Sequence, residues 1–101
     1  MNKSEVENFA RVFKALADTT RQQILELLHK NGELSVTEIT SHFTLAQPTI
    51  SQHLRVLRDV EAVKIRKSGQ QVYYRICNVK MYDAMEQFME TYEEETKRSH
   101  G

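Results

Sequence analysis

Apolar residues in the first third of the chain recur every three to four positions, which is the spacing of amphipathic helices. The first such run predicts a helix over residues 4–17. Asp18 has a side chain that favours a helix N-cap, and Asn31-Gly32 supplies a stop signal. A second helix is therefore predicted between these two points, with its apolar stripe buried.

The next two predicted helices are separated by only a few residues. Ser35 and Glu38 have capping-box spacing, and the apolar residues that follow predict a short helix of about two turns. Pro48 suits the first turn of a further helix, residues 47–60, whose apolar side chains fall on one face. Two helices joined by so short a turn are typical of a helix-turn-helix.

The hydrophobic period then changes from helical to alternating, which indicates β-strands. Two alternating runs flank Ser68-Gly69-Gln70 and predict a β-hairpin, or wing, over residues 64–75. Helical spacing returns after Asn78 and predicts a last helix over residues 79–97. The predicted fold class is mainly α with a β-hairpin wing, a winged helix-turn-helix built from four helices, two strands and a fifth helix.

Length and composition indicate a single domain over residues 1–101. A chain of 101 residues that is 40% hydrophobic can bury one core but not two. Its one cysteine excludes an intramolecular disulfide, and its N-terminus has no apolar run of the kind found in signal or membrane segments. A cytoplasmic location without a membrane partner is therefore expected.

The charges are segregated along the chain, although the formal net charge is zero. Residues 47–80 contain seven basic side chains against two acidic ones, whereas residues 81–96 contain six acidic side chains and no basic one. Neutralising phosphates supplies most of the nonspecific affinity of proteins for DNA. The basic segment is therefore a candidate surface for double-stranded DNA.

The outer face of the helix at residues 47–60 is polar throughout and can form hydrogen bonds with base edges or phosphates. The candidate DNA-binding residues of this recognition helix are Gln47, Pro48, Thr49, Ser51, Gln52, His53 and Arg55. Those of the wing, whose cations suit phosphates or the minor groove, are Arg66, Lys67, Ser68 and Gln70. A solvated helix face and an ordinary edge hairpin are the competing interpretations, and the adjacency of the two elements favours DNA.

Four runs of the sequence resemble the ArsR/SmtB family in order and spacing: FKALADTTRQQILELL, SVTEITSHF, QPTISQHLRVLRD and KIRKSGQQVYYRI. The similarity covers about residues 9–77, and the Ser51-x-His53-Leu54 run and Tyr73-Tyr74 are among its most diagnostic pieces. The resemblance implies a cytoplasmic bacterial repressor that binds a palindromic operator as a homodimer and is released by an inducer.

The chain departs from the family pattern at the end of the recognition helix and at both metal sites. Glu61 and Ala62 stand where many members have a glycine, so one of them must form the helix exit. Leu34-Ser35-Val36-Thr37 replaces the cysteine cluster of one metal site, and Asp83-Ala84-Met85 lacks the histidine of the other. Thr96 and Ser99 stand in place of its distant ligands, so neither a metal nor another cofactor is expected.

The resemblance also implies that the first and last helices, residues 1–17 and 79–97, pair across a two-fold axis. The expected interface residues are Phe9, Phe13, Met81, Met85, Phe88, Met89 and Tyr92. Packing within one subunit competes for part of this stripe, and the methionines could alternatively line a small-molecule pocket.

Three other functions are weighed against DNA binding. The sequence has no Gly-rich phosphate loop, nucleophile elbow or clustered catalytic motif, so no catalytic residue and no enzyme activity is expected. A winged helix used only for protein contacts would show apolar anchors on the outer face of the recognition helix, which is polar here. A redox-responsive repressor acting through Cys77, by an intersubunit disulfide or a sulfenic acid, stays open as an alternative.

Overall fold

A computed structural model of the chain describes residues 1–93. In chain order the elements are α1 (Lys3–Leu16), α2 (Thr19–Asn31), β1 (Glu33–Ser35), α3 (Val36–Thr40), α4 (Gln47–Asp59), β2 (Val63–Ser68), β3 (Gln71–Ile76) and α5 (Val79–Thr91). The predicted order of four helices, a hairpin and a fifth helix is confirmed, with one strand added. Residues 94–97 of the predicted last helix lie outside the described part. None of the helices within residues 1–93 is long and apolar enough to cross a membrane.

Strand β1 is the element that the hydrophobic pattern did not predict. It pairs antiparallel with β3, so that Leu34 lies opposite Tyr74, and the sheet has the order β1-β3-β2. Three residues are too few to display an alternating period, and the strand forms because β3 offers it a free edge. The wing is therefore two strands of a three-stranded sheet, and β1 connects this sheet directly to α3.

Helix α3 is shorter than the two turns expected, because the chain enters a turn after Thr40. Its predicted capping box is present: the Glu38 N–H donates to Ser35 Oγ at 3.1 Å, and the Ser35 N–H donates to Glu38 Oε1 at 2.9 Å. Ser35 is thus both the last residue of β1 and the N-cap of α3. This arrangement fixes the direction in which the helix-turn-helix leaves the sheet.

Helix α4 ends in a Schellman motif built around Glu61. The Ala62 N–H donates to the Leu57 carbonyl at 2.8 Å, and the Glu61 N–H donates to the Arg58 carbonyl at 2.9 Å. Glu61 has φ 57°, a left-handed conformation that glycine adopts more readily. The helix exit therefore follows the usual geometry, with a non-glycine residue in the position that favours glycine.

The core lies between α2, α3, α4 and the start of β2. Its largest fully buried side chains are Ile24, Leu28, Ile39, Ile50, Leu54, Leu57 and Val63. Burying an aliphatic side chain of this size contributes about 1.5–3 kcal/mol relative to leaving it exposed. The inner face predicted for α4 is confirmed, and it fixes which face of that helix remains in solvent.

Helices α1 and α5 pack together through aromatic rings. Phe9 stacks on Phe88 with ring centroids 4.6 Å apart, and Phe13 and Tyr92 flank this pair. Gln87 also donates a hydrogen bond to Glu5 across the two helices. This packing leaves much of the apolar face uncovered, since Phe13 is 41% exposed and Met89 is 63% exposed.

Candidate nucleic-acid interface

The outer face of α4 presents a row of polar side chains opposite the buried stripe. Most of the predicted recognition residues are exposed, namely Gln47, Pro48, Thr49, Ser51, Gln52 and Arg55. Pro48 lies in the first turn, where its fixed φ suits the helix and its missing N–H costs no hydrogen bond. The opposite face is anchored in the core, so α4 holds these groups on a rigid support.

His53 is the predicted recognition residue that the structure places apart from the others. Its ring is half-buried, with Nδ1 3.1 Å from Arg21 Nη1 and 3.9 Å from Asp18 Oδ2. A guanidinium can only donate, so His53 Nδ1 accepts this hydrogen bond in the neutral ring. Arg21 also donates to the Ala15 carbonyl at 2.5 Å, which links α4 to the end of α1. Sequence reasoning missed this link because the two partners are 32 residues apart.

The carboxyl group that faces this link also caps α2. Asp18 Oδ2 accepts a hydrogen bond from the Arg21 N–H at 3.0 Å, and this bond is the main reason that the pKa of Asp18 lies below its ordinary value. The charge of Arg21 lowers the pKa further, whereas burial of the carboxyl group raises it. The start of α2 and the side of α4 therefore meet at one polar junction.

The wing tip is a two-residue turn between β2 and β3. Ser68 pairs with Gln71, and Gly69 has φ 60°, as the first central position of a type II′ hairpin requires. Lys67, Ser68 and Gln70 are all exposed at this tip. These three predicted wing residues are therefore free to approach a partner.

The two wing cations lie on opposite faces of the sheet, because successive side chains of a strand alternate. Lys67 lies opposite Val72 in the register and shares a face with Tyr74, which lines a groove beside α4. Arg66 lies opposite Tyr73 on the other face. Only Lys67 is therefore on the side of the wing that faces the recognition helix.

Arg66 is held by an ion pair with Glu33 of β1. Its Nη2 and Nε donate to the Glu33 carboxylate at 2.7–3.2 Å, and its guanidinium carbon lies 4.7 Å from the centroid of the Tyr73 ring. The hydrogen bond from Arg66 lowers the pKa of Glu33 below its usual value. The pairing was not visible in the sequence, where the two residues are 33 positions apart.

A groove of about 380 Å³ runs between α4 and the wing. Its lining includes Ser51 and Arg55, together with Arg58 and Tyr74, which were not among the predicted site residues. Arg58 follows Arg55 by three positions and therefore lies beside it on the helix, which is the sequence signal that could have identified it. The groove thus combines hydroxyl, guanidinium and phenol groups with the carboxylate of Asp59. Its hydroxyl and guanidinium groups can bind phosphates and base edges.

Comparisons with known proteins agree with this geometry. The family model for bacterial regulatory proteins of the arsR family matches residues 18–64. The transcriptional repressor SdpR of Bacillus subtilis is 38% identical over 74 residues, which cover 73% of this chain and 81% of that protein. The chain belongs to the arsR family. It is therefore a DNA-binding transcriptional regulator, because the family consists of such regulators.

Two further relatives support the assignment to the arsR family. The arsenical resistance operon repressor of Staphylococcus aureus is 34% identical over 80 residues, covering 79% of this chain and 76% of that protein. The solved structure of an ArsR-like transcriptional regulator from Rhodococcus has a TM-score of 0.78 at 26% identity, covering 93% of this chain and 87% of that one. The winged helix-turn-helix of the arsR family is thus shared along nearly the whole chain.

The residues considered for metal binding and redox chemistry do not form a cluster in the described part of this arsR-family chain. No group of three or more His, Cys, Asp or Glu residues within residues 1–93 is arranged to hold a metal ion. Thr96 and Ser99 lie outside the described residues. Cys77 is a free, half-buried thiol directly after β3.

The seven expected interface residues lie on α1 and α5, with Tyr92 at the C-cap of α5, and differ in exposure. Phe9, Met81, Met85 and Phe88 are half-buried within the subunit, and Phe9 and Met81 pack against the core. Phe13, Met89 and Tyr92 are exposed, as are the neighbouring Val6 and Tyr82. Packing within the subunit therefore uses part of the stripe and leaves the rest in solvent.

Proposed function

We propose that the protein is a homodimeric repressor that binds a palindromic DNA operator, with α4 in the major groove and the wing on the adjacent backbone. The observation that carries the proposal is the division of α4 into a fully buried face and a row of exposed polar side chains. Recognition helices present such groups from their N-terminal turns. Ser51 and Gln52 are both in this part of α4.

The chemistry of the two surfaces assigns them different tasks. Gln52 can donate and accept in one plane, which suits an adenine edge. Lys67 carries a mobile ammonium group that suits a phosphate without reading sequence. The helix would therefore determine specificity, and the wing would add affinity for any duplex.

The proposed dimer uses the apolar surface that α1 and α5 leave exposed. The proposed interface helices are residues 1–17 and 79–97, and we propose that both belong to a single domain. Tyr82 and Met89 are both 63% exposed, which is unfavourable for apolar side chains unless a partner covers them. A two-fold axis through this face would place two recognition helices about one DNA turn, ~34 Å, apart. Inverted operator half-sites follow from that symmetry.

The proposal is tested by selecting DNA fragments that the purified protein retains and by titrating the selected operator. Gln52→Ala should cost about 1–3 kcal/mol on the operator and relax discrimination at one base position. Lys67→Ala should weaken operator and random DNA alike and lower the salt slope by about one unit. Lys30→Ala is the control, because Lys30 is paired with Glu26 on α2, outside the proposed interface.

Sedimentation of the wild type and of Met89→Glu tests the dimer. We expect a dimer that the buried charge of the variant dissociates, with a large loss of operator affinity. A wild-type monomer at micromolar concentration with full operator affinity would contradict the proposed arrangement.

The salt dependence of binding tests the phosphate contacts separately. Operator affinity that does not change when salt is raised severalfold would contradict these contacts.

A further inference from the structure

The ion pair between Glu33 and Arg66, here called the brace, crosses the whole width of the sheet. Glu33 is on β1 and Arg66 is on β2, and β3 separates the two strands. In the register Arg66 lies opposite Tyr73 and Glu33 lies opposite Arg75, so the ion pair runs diagonally over β3. The guanidinium carbon of Arg66 lies 4.7 Å from the centroid of the Tyr73 ring, so the arginine also makes a cation–π contact.

This brace lies at the edge of the three-stranded part of the sheet, because Arg66 is opposite Tyr73 and Tyr73 is opposite Ser35 of β1. Strand β1 pairs only with residues 73–75 of β3, so the part of the hairpin closer to the tip has no third strand beside it. A two-stranded ribbon is marginally stable by itself and twists strongly. Arg66 therefore fixes the base of the two-stranded tip, one residue before Lys67.

The same brace connects the wing to the helix-turn-helix. Glu33 lies two residues before Ser35, whose side chain caps α3. The Glu33 carboxylate therefore joins β2 to the segment from which α3 and α4 follow.

We propose that Arg66 supports DNA binding as a positioning residue, whose ion pair with Glu33 orients the wing so that Lys67 reaches the DNA backbone beside α4. The proposal rests on the proposed function. It assigns Arg66 a different role from a phosphate contact, because its charge is already compensated by Glu33 and its Nε and Nη2 atoms both donate to that carboxylate. Lys67, on the opposite face, keeps the role of phosphate contact.

The test is a double-mutant cycle of operator binding, measured over a range of salt concentrations. Arg66→Gln and Glu33→Gln should each weaken binding about three- to tenfold, and the double variant should lose no more than either single variant. Arg66→Gln should leave the salt slope unchanged, whereas Lys67→Gln should lower it by about one unit. Arg66→Lys should behave like Arg66→Gln, because lysine keeps the charge but cannot form the bidentate pair.

Hydrogen exchange of the wing amides provides a readout without DNA. Both single variants should speed exchange in residues 64–73 while the core helices keep their protection, which also shows that the variants fold. The proposal is overturned if Glu33→Gln tightens binding, if Arg66→Gln lowers the salt slope by one unit, or if Arg66→Lys binds like the wild type. Wild-type protein that bound no operator would instead overturn the proposed function and, with it, this role.

Discussion

Replacing Glu61 with glycine should stabilise the protein, because Glu61 holds a left-handed backbone conformation at the end of α4. It is the only non-glycine residue within residues 1–93 with a positive φ, at 57°. A side chain in this conformation costs roughly 1–2 kcal/mol, because its Cβ approaches the following carbonyl oxygen. Glycine removes this cost. However, its greater conformational freedom in the unfolded chain offsets about 0.4–1 kcal/mol of the gain. The expected conformational gain is about 0.5–1 kcal/mol.

The carboxylate of Glu61 adds a second, separable effect. It lies just past the C-terminus of α4, where the negative end of the helix dipole disfavours an anion by about 0.3–1 kcal/mol. Glu61→Ala removes this charge but keeps the Cβ and hence the backbone strain. The difference between the glycine and alanine variants therefore isolates the conformational effect.

Urea and thermal unfolding of the wild type and both variants provide the measurement, at one protein concentration because a dimer's stability depends on it. The conformational gain of about 0.5–1 kcal/mol should place the Tm of the glycine variant about 2–8 °C above that of the alanine variant in a domain of this size. Both variants gain in addition from removal of the charge. Operator affinity should not change, since glycine accepts the same φ and both Schellman hydrogen bonds remain. A glycine variant no more stable than the alanine variant would refute the argument from backbone strain.

Three other outcomes are expected. Leu54→Ala should cost about 2–5 kcal/mol in urea unfolding, because Leu54 is fully buried in the core and the cavity can close only in part. The pKa of Asp18 is lowered in the folded state from 3.8. The contribution of this carboxylate to the free energy of unfolding is therefore complete above that pH and is lost as the pH falls through the lower folded pKa. Asp18→Asn, which keeps an N-cap, should therefore unfold with a weaker dependence on pH below about 4, as followed by circular dichroism in acid titrations. Zinc followed by a chelator should change neither Tm nor operator affinity, and tight stoichiometric zinc binding that releases DNA would contradict the missing ligand set.

Hydrophobic periodicity was sufficient to predict the long elements of the fold. Helices α1, α2, α4 and α5 and both wing strands are long enough to show their period, and their boundaries differ from the predicted ones by only a few residues within the described part. Strand β1 was missed because its three residues form a strand only by pairing with β3, about forty residues later. Helix α3 was predicted too long because Phe43 continues the apolar spacing into a turn, where it still packs against the core.

The exposed face of α4 was predictable for the same reason, because helical phase alone separates Ser51 and Gln52 from the buried stripe. The partners of His53 and Arg66 were not predictable from periodicity. Each is bonded to a residue more than thirty positions away, and the hydrogen-bonding capacity of a side chain does not indicate which distant group will use it. Residue type identified both as candidates for DNA contact, and only the fold shows that their polar atoms already have protein partners.

Because some cations of the basic segment already have protein partners, fewer of them can contact the phosphates of DNA. The basic segment contains seven positive side chains, but Arg66 is neutralised by Glu33, and Arg75 lies on the same outer face as that carboxylate. The cations of the groove and the adjoining wing face are Arg55, Arg58 and Lys67. Three phosphate contacts per subunit correspond to a slope of log affinity against log salt of about −2.7, or roughly −5 for a dimer on two half-sites. A slope near −12 would mean that nearly all seven cations of each subunit contact phosphates, and the assignment of sheet faces would then be wrong.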